Sequence, residues 1–203
     1  PIRCRLQNLR ADMRRRDFFG VLGGAAAAWP MSVRAQQPAM PVIGFLSPGS
    51  LEADTSRMNA VRQGLAEIGY VEGQNAAIEY RGAQYQHDRL SALAADLVNR
   101  RVAAIIVVSA SGALAAKAAT NTIPIVFSIG ADPVQLSLVT SLNRPSGNIT
   151  GIYVLNVAVT GKRLELLRES VSTARVIGYL ANPKSAATAP ETKELHEAAR
   201  ALG

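Results

Sequence analysis

The run Val102-Ala-Ala-Ile-Ile-Val-Val108, followed by Ser109-Ala-Ser-Gly112, decides the fold. Seven apolar residues in succession, most of them β-branched, leave no polar face. A strand built from them is covered on both sides, as central strands of parallel sheets are. The small hydroxyl residues that end the run suit the start of a helix, where side-chain oxygens accept unpaired N–H groups. The stretch therefore reads as strand, sharp turn and helix.

The same order repeats in both directions. Upstream, Pro41–Leu46 is a buried strand bounded by Ser47-Pro-Gly-Ser50, and Met58, Val61, Leu65 and Ile68 recur at helical spacing. Gly69 stands where a left-handed cap would end that helix. Ala76–Tyr80 is a second strand, and Leu90, Leu93, Leu97 and Val98 form a second helical stripe with Asp88 near its start. Downstream, a small-residue helix runs over Ser111–Thr120, and a strand over Ile123–Phe127. A short helix is expected from Asp132-Pro133 to about Leu142, then turn residues Asn143–Asn148 and a strand Ile149–Tyr153. Five such alternations specify an α/β, doubly wound parallel-sheet lobe with right-handed crossovers over residues 41–153. Residues 154–160 then form a crossover. A helix from Gly161 to Val171, a strand Arg175–Leu180 and a helix Glu191–Leu202 begin a second lobe over 161–203. A lobe of this kind takes on the order of 100 residues, so the second is expected to be incomplete in this chain, its strand lacking neighbours.

The first 35 residues follow different rules. Arg14-Arg-Arg-Asp-Phe-Phe19 is a basic cluster with an aromatic pair, followed by a mild Gly/Ala-rich run to Trp29 and the small residues Val33-Arg-Ala35. That order is a cleavable export signal, and the apolar run is too short to span a bilayer. Arg15 and Arg16 with Phe18 have the form of a twin-arginine signal, cleaved after Ala35 and started at Met13. The only cysteine, Cys4, lies upstream of that start, so the mature chain has no disulfide and no lipid-anchoring thiol. Residues 1–35 hold seven Lys/Arg against two Asp/Glu, leaving 15 against 13 for residues 36–203. The basic charge belongs to the leader and gives no argument for nucleic acid.

Several pieces carry a resemblance together: Ile43-Gly-Phe-Leu-Ser47, Gly69-Tyr-Val-Glu-Gly-Gln-Asn75, Leu93-Ala-Ala-Asp-Leu-Val98, Ile123-Pro-Ile-Val-Phe127, Leu142-Asn-Arg-Pro145, Gly147-Asn-Ile-Thr-Gly151 and Lys162-Arg-Leu-Glu-Leu-Leu167. In this order, from Met40 to Gly203, the chain resembles the tryptophan- and tyrosine-type substrate-binding proteins of ABC importers. The resemblance implies a type I periplasmic-binding fold, two lobes closing on a small solute. It also implies a monomer when complete, located in the periplasm and partnered by an inner-membrane permease, with no cofactor.

Ligands of open parallel sheets sit beyond the carboxyl ends of the strands. That rule points to Ser47, Ser109, Ser111, Asp132, Tyr153 and Asn156 in the first lobe and to Asn182 after the second-lobe strand. Ser109 and Ser111 either grip a carboxylate at their helix start or only cap it, and one residue can do both. Asp132 either pairs with an ammonium group or caps a helix. Tyr153 stacks on a ligand or packs, and Asn182-Pro183 either closes the site or is an ordinary turn. His87 and His196 lack metal-site spacing, and no nucleophile elbow or phosphate loop is present. A binding protein is the leading reading. A periplasmic enzyme on the same scaffold, or a sensor module reporting to a membrane kinase, are the alternatives.

Overall fold

A computed structural model describes residues 40–145 and 147–203. The export-signal expectations, with Arg15, Arg16, Phe18 and Ala35, lie outside the described residues. Five strands form one parallel sheet: β1 (Val42–Ser47), β2 (Ala77–Gly82), β3 (Ala104–Val107), β4 (Ile125–Ile129) and β5 (Ile149–Tyr153). Their order is β2-β1-β3-β4-β5, and Phe45 pairs with Tyr80 on one side and Ile106 on the other. The helices are α1 (Thr55–Glu67), α2 (Leu90–Asn99), α3 (Ala110–Ala119), α4 (Thr160–Ser170) and α5 (Thr188–Leu202), with a 3₁₀ turn at His87–Arg89 before α2. The chain steps one way from β1 to β2 and the other way from β2 to β3, so the α/β doubly wound class holds.

The core explains why these segments form. Leu46, Ile105, Val107, Ile125 and Phe127 from the sheet pack against Leu90, Ala94 and Leu97 of α2 and Ala113 and Ala116 of α3. Gly44 lets α2 lie close to the sheet, since a Cβ there would stand 2.9 Å from both Cδ atoms of Leu97. Charged residues tie the β2 edge to α2: Arg81 Nε meets Asp96 at 2.7 Å and Arg81 Nη2 meets Glu79 at 2.8 Å.

Four expectations need correction. The strand after α3 starts at Ile125, because Thr120 Oγ1 accepts the N–H of Ile123 and Pro124 has no N–H to give. The helix expected from Asp132 to Leu142 is a set of turns, since Ser137 turns left-handed at φ +55 and ends the spiral. Of the α1 stripe only Met58 is buried, and Ile68 is 69% exposed. The strand expected at Arg175–Leu180 joins no sheet: with no neighbouring strand there is nothing to pair its backbone, and Val176 and Leu180 are 89% and 99% exposed.

Candidate functional site

Parallel strands send all their carboxyl ends to one edge, and the loops there form a rim. Between β1 and β3 the strand order reverses, so the two following loops leave on opposite faces, which is where open parallel sheets take their ligands. Ser47 ends β1 and is buried, its Oγ accepting the N–H of Gly49 at 3.0 Å. Ser109 follows β3 in extended conformation and caps α3, its Oγ accepting the N–H of Gly112 at 3.0 Å. Ser111 lies in the first turn of α3, and its Oγ accepts the N–H of Ala186 at 3.0 Å, from the segment that leads into α5. These three serines therefore lie at the ends of the two strands that flank the reversal point.

Asp132 and Tyr153 stand together further along the rim, beyond β4 and β5. Asp132 Oδ1 accepts the N–H groups of Val134 at 2.8 Å and Gln135 at 3.3 Å, so it caps the turn that replaces the expected helix. Burial holds the Tyr153 phenol above its usual range, helped by the charges of Asp132 and Glu194. Asn156 Oδ1 accepts from Arg163 Nη2 at 3.2 Å, and its side chain lies over Gly130, where a Cβ would be 3.1 Å away. Asn182 reaches the other end of the rim: its Nδ2 stands 3.1 Å from His87 Nε2, while Lys184 Nζ meets Asp88 at 3.3 Å. The segment 182–186 thus crosses the rim from the end of β2 to the start of α3.

One group of rim residues is absent from the sequence reading. Asp54 is 1% exposed and its carboxylate accepts from Tyr80 Oη at 2.9 Å and from Arg57 Nη1 at 2.7 Å. Tyr80 also donates to the carbonyl of Gly49 at 3.2 Å and stacks on Phe45, with ring centroids 5.8 Å apart. Burial and the Asp54 carboxylate push the Tyr80 phenol far upward. The network pins the 47–54 loop to β2. Asp54 one residue before Thr55 was the visible signal, as a helix-start residue, but its side chain bonds to Tyr80 instead of capping.

A hollow of about 1280 Å³ lies between α4, α5 and residues 172–179. Leu164, Leu167, Leu195 and Leu202 line it beside Ile177 and Tyr179. Arg163, Arg168, Arg175, Glu191 and His196 share its lining with these apolar residues.

The fold is an α/β lobe of the periplasmic-binding type. Among the described residues no three His, Cys, Asp or Glu side chains are grouped to hold a metal, and no helix is long and apolar enough to cross a membrane. The chain belongs to the ABC transporter substrate binding protein family, which matches residues 40–203. It is 31% identical over 136 residues to a tyrosine-binding protein of Clostridioides difficile, covering 67% of this chain and 39% of that protein. A conserved domain protein of Vibrio cholerae has a similar structure, with a TM-score of 0.73 and 26% identity, over 81% of this chain and 55% of the other. An ABC domain from Streptococcus pneumonia in complex with L-Trp shares the fold at a TM-score of 0.70 and 22% identity, over 80% and 54% of the two chains. A ligand-free, open substrate binding protein with adhesive properties from Clostridium difficile gives 0.55 and 26%, over 80% and 55%. The chain thus spans less than two thirds of each of these relatives.

Proposed function

We propose that this chain is the solute receptor of an ABC importer, capturing an amino acid at the rim and presenting it to an inner-membrane permease. The observation that supports the reading is that Ser47 ends β1 and Ser109 and Ser111 follow β3, the two strands between which the order reverses. A carboxylate there meets hydroxyl donors and the positive end of α3. Ser111 Oγ accepts from Ala186, so its own O–H is the group left to donate to the ligand. Asp132 uses Oδ1 for its turn, which leaves Oδ2 for an α-ammonium. The relatives named for tyrosine and solved with L-Trp favour an aromatic side chain. Export through the residue 1–35 leader and a periplasmic home belong to the same reading, and an N-terminus at Gln36 in the exported protein checks them by mass spectrometry.

Titration calorimetry with L-tryptophan, L-tyrosine and carboxylic acids lacking an amine tests the site. A hydrogen bond to a charged group contributes about 1.5–3 kcal/mol, so Ser111→Ala should weaken binding roughly ten- to a hundredfold. Asp132→Asn should weaken amino acids more than the amine-free acids. Unchanged affinity in both variants would refute the site.

A further inference from the structure

The turn after β2 carries the only adjacent pair of non-glycine residues with left-handed backbone among the described residues: Gln84 at φ +52 and Tyr85 at φ +62. Side chains enter this region at a cost, and such strain persists only where surrounding bonds enforce it. Here they do. The N–H of Ala83 bonds Ser47 O at 2.9 Å, that of Gln84 bonds Gly49 O at 3.2 Å, and that of Tyr85 bonds Pro48 O at 2.6 Å. Gln86 closes the turn on Ala83 O at 2.9 Å. Gly82 makes the contact possible, because a Cβ there would stand 2.6 Å from Gly49 O.

Ala83 at the start of the turn is buried in the core, but the Tyr85 side chain does not serve the core, being 65% exposed. The turn stands between two parts of the rim already described. The loop of Ser47 is stitched to it on one side, and His87, two residues on, meets Asn182 of the crossing segment on the other. We propose that Tyr85 is the aromatic wall of the candidate site and sets its preference for a ligand bearing an aromatic ring; the inference rests on the amino-acid receptor reading above. A ring carried on an enforced turn offers a flat apolar face on a backbone that need not first be ordered, which lowers the entropic cost of adding affinity. Tyr153, half-buried beside Asp132 and Glu194, has less open ring to offer.

The test is calorimetry and thermal melting of the full chain and three variants with L-tryptophan and L-tyrosine. Y85A should weaken both ligands about tenfold or more, equivalent to about 1.4 kcal/mol, while Y85F stays within about threefold of the parent. Both should melt with the parent. Y85G should melt higher, because glycine carries no left-handed penalty, and bind aromatic ligands as weakly as Y85A. The inference is overturned if Y85A binds like the parent, if Y85F falls as far as Y85A, or if Y85G melts no higher. A parent that binds no amino acid overturns the receptor reading and this inference with it; a binding parent with an indifferent Y85A overturns this inference alone.

Discussion

Helices α2 and α5 carry similar apolar stripes and meet different fates. The ten residues of α2 bury Leu90, Ala94 and Leu97 completely or nearly so, against a sheet that is already paired. The fifteen residues of α5 bury none, although Leu195, Ala199 and Leu202 recur on one side. Its neighbours are α4 and the unpaired segment 175–180, where Leu180 is almost fully exposed. An apolar stripe states which face a helix would bury. Only a sheet or second helix layer of matching extent turns that into stability, at about 25 cal/mol per Å² of apolar surface removed from water.

The comparison can be broken or sharpened by measurement. Leu97→Ala should have the largest effect, about 2–5 kcal/mol, because the side chain is fully buried against Gly44 and the site cannot collapse freely. Urea unfolding of residues 36–203 would read this as a lower midpoint. Next comes Tyr80→Phe, which leaves the buried Asp54 carboxylate without its phenol donor and should lose about 1–3 kcal/mol. The Tyr80 phenol is raised in the folded state, so its contribution is complete below the ordinary tyrosine value of about 10 and is lost as pH climbs above it. The stability gap between Tyr80→Phe and the parent should therefore close in alkaline solution, and a constant gap would separate it from the phenol proton. Ser109→Ala removes a cap and should cost about 1 kcal/mol. Leu180→Ser should change stability by no more than about 0.5 kcal/mol. A loss at Leu180 as large as that at Leu97 would show segment 175–180 packed, and the contrast between the two regions would fail.

Continuous apolar runs and glycine caps made the first lobe readable. The run Val102–Val108 does hold an inner strand, though only Ala104–Val107 pairs, and Gly69 does take φ +87 at the end of α1. The turns at 133–138 were not readable, because what shapes them is tertiary: Lys117 Nζ reaches from α3 to the carbonyls of Ser137 and, at 3.1 Å, Leu138. In the candidate site the strand-end rule picked out serines that stand at the ends of β1 and β3, since register alone places strand ends together. Asp54, Tyr80 and Tyr85 stayed hidden for a different reason. Their partners are 26 to 37 residues away or lie in backbone carbonyls, and no local pattern in the sequence encodes a strained turn held from across the sheet.

The turn from Gly69 to Asn75 has a practical consequence. It joins α1 to β2 at the edge opposite the rim and is closed by its own contacts, Asn75 Nδ2 to Gly69 O at 2.8 Å and Val71 N–H to Asn75 Oδ1 at 2.7 Å. Gly73 there has no heavy atom within 4 Å of where a side chain would begin. A linker or fused reporter inserted beside Gly73, with the glycine kept for its φ of +82, would hang from the far side of the lobe. The protein could then be immobilised or built into an optical sensor with its ligand-facing edge left clear.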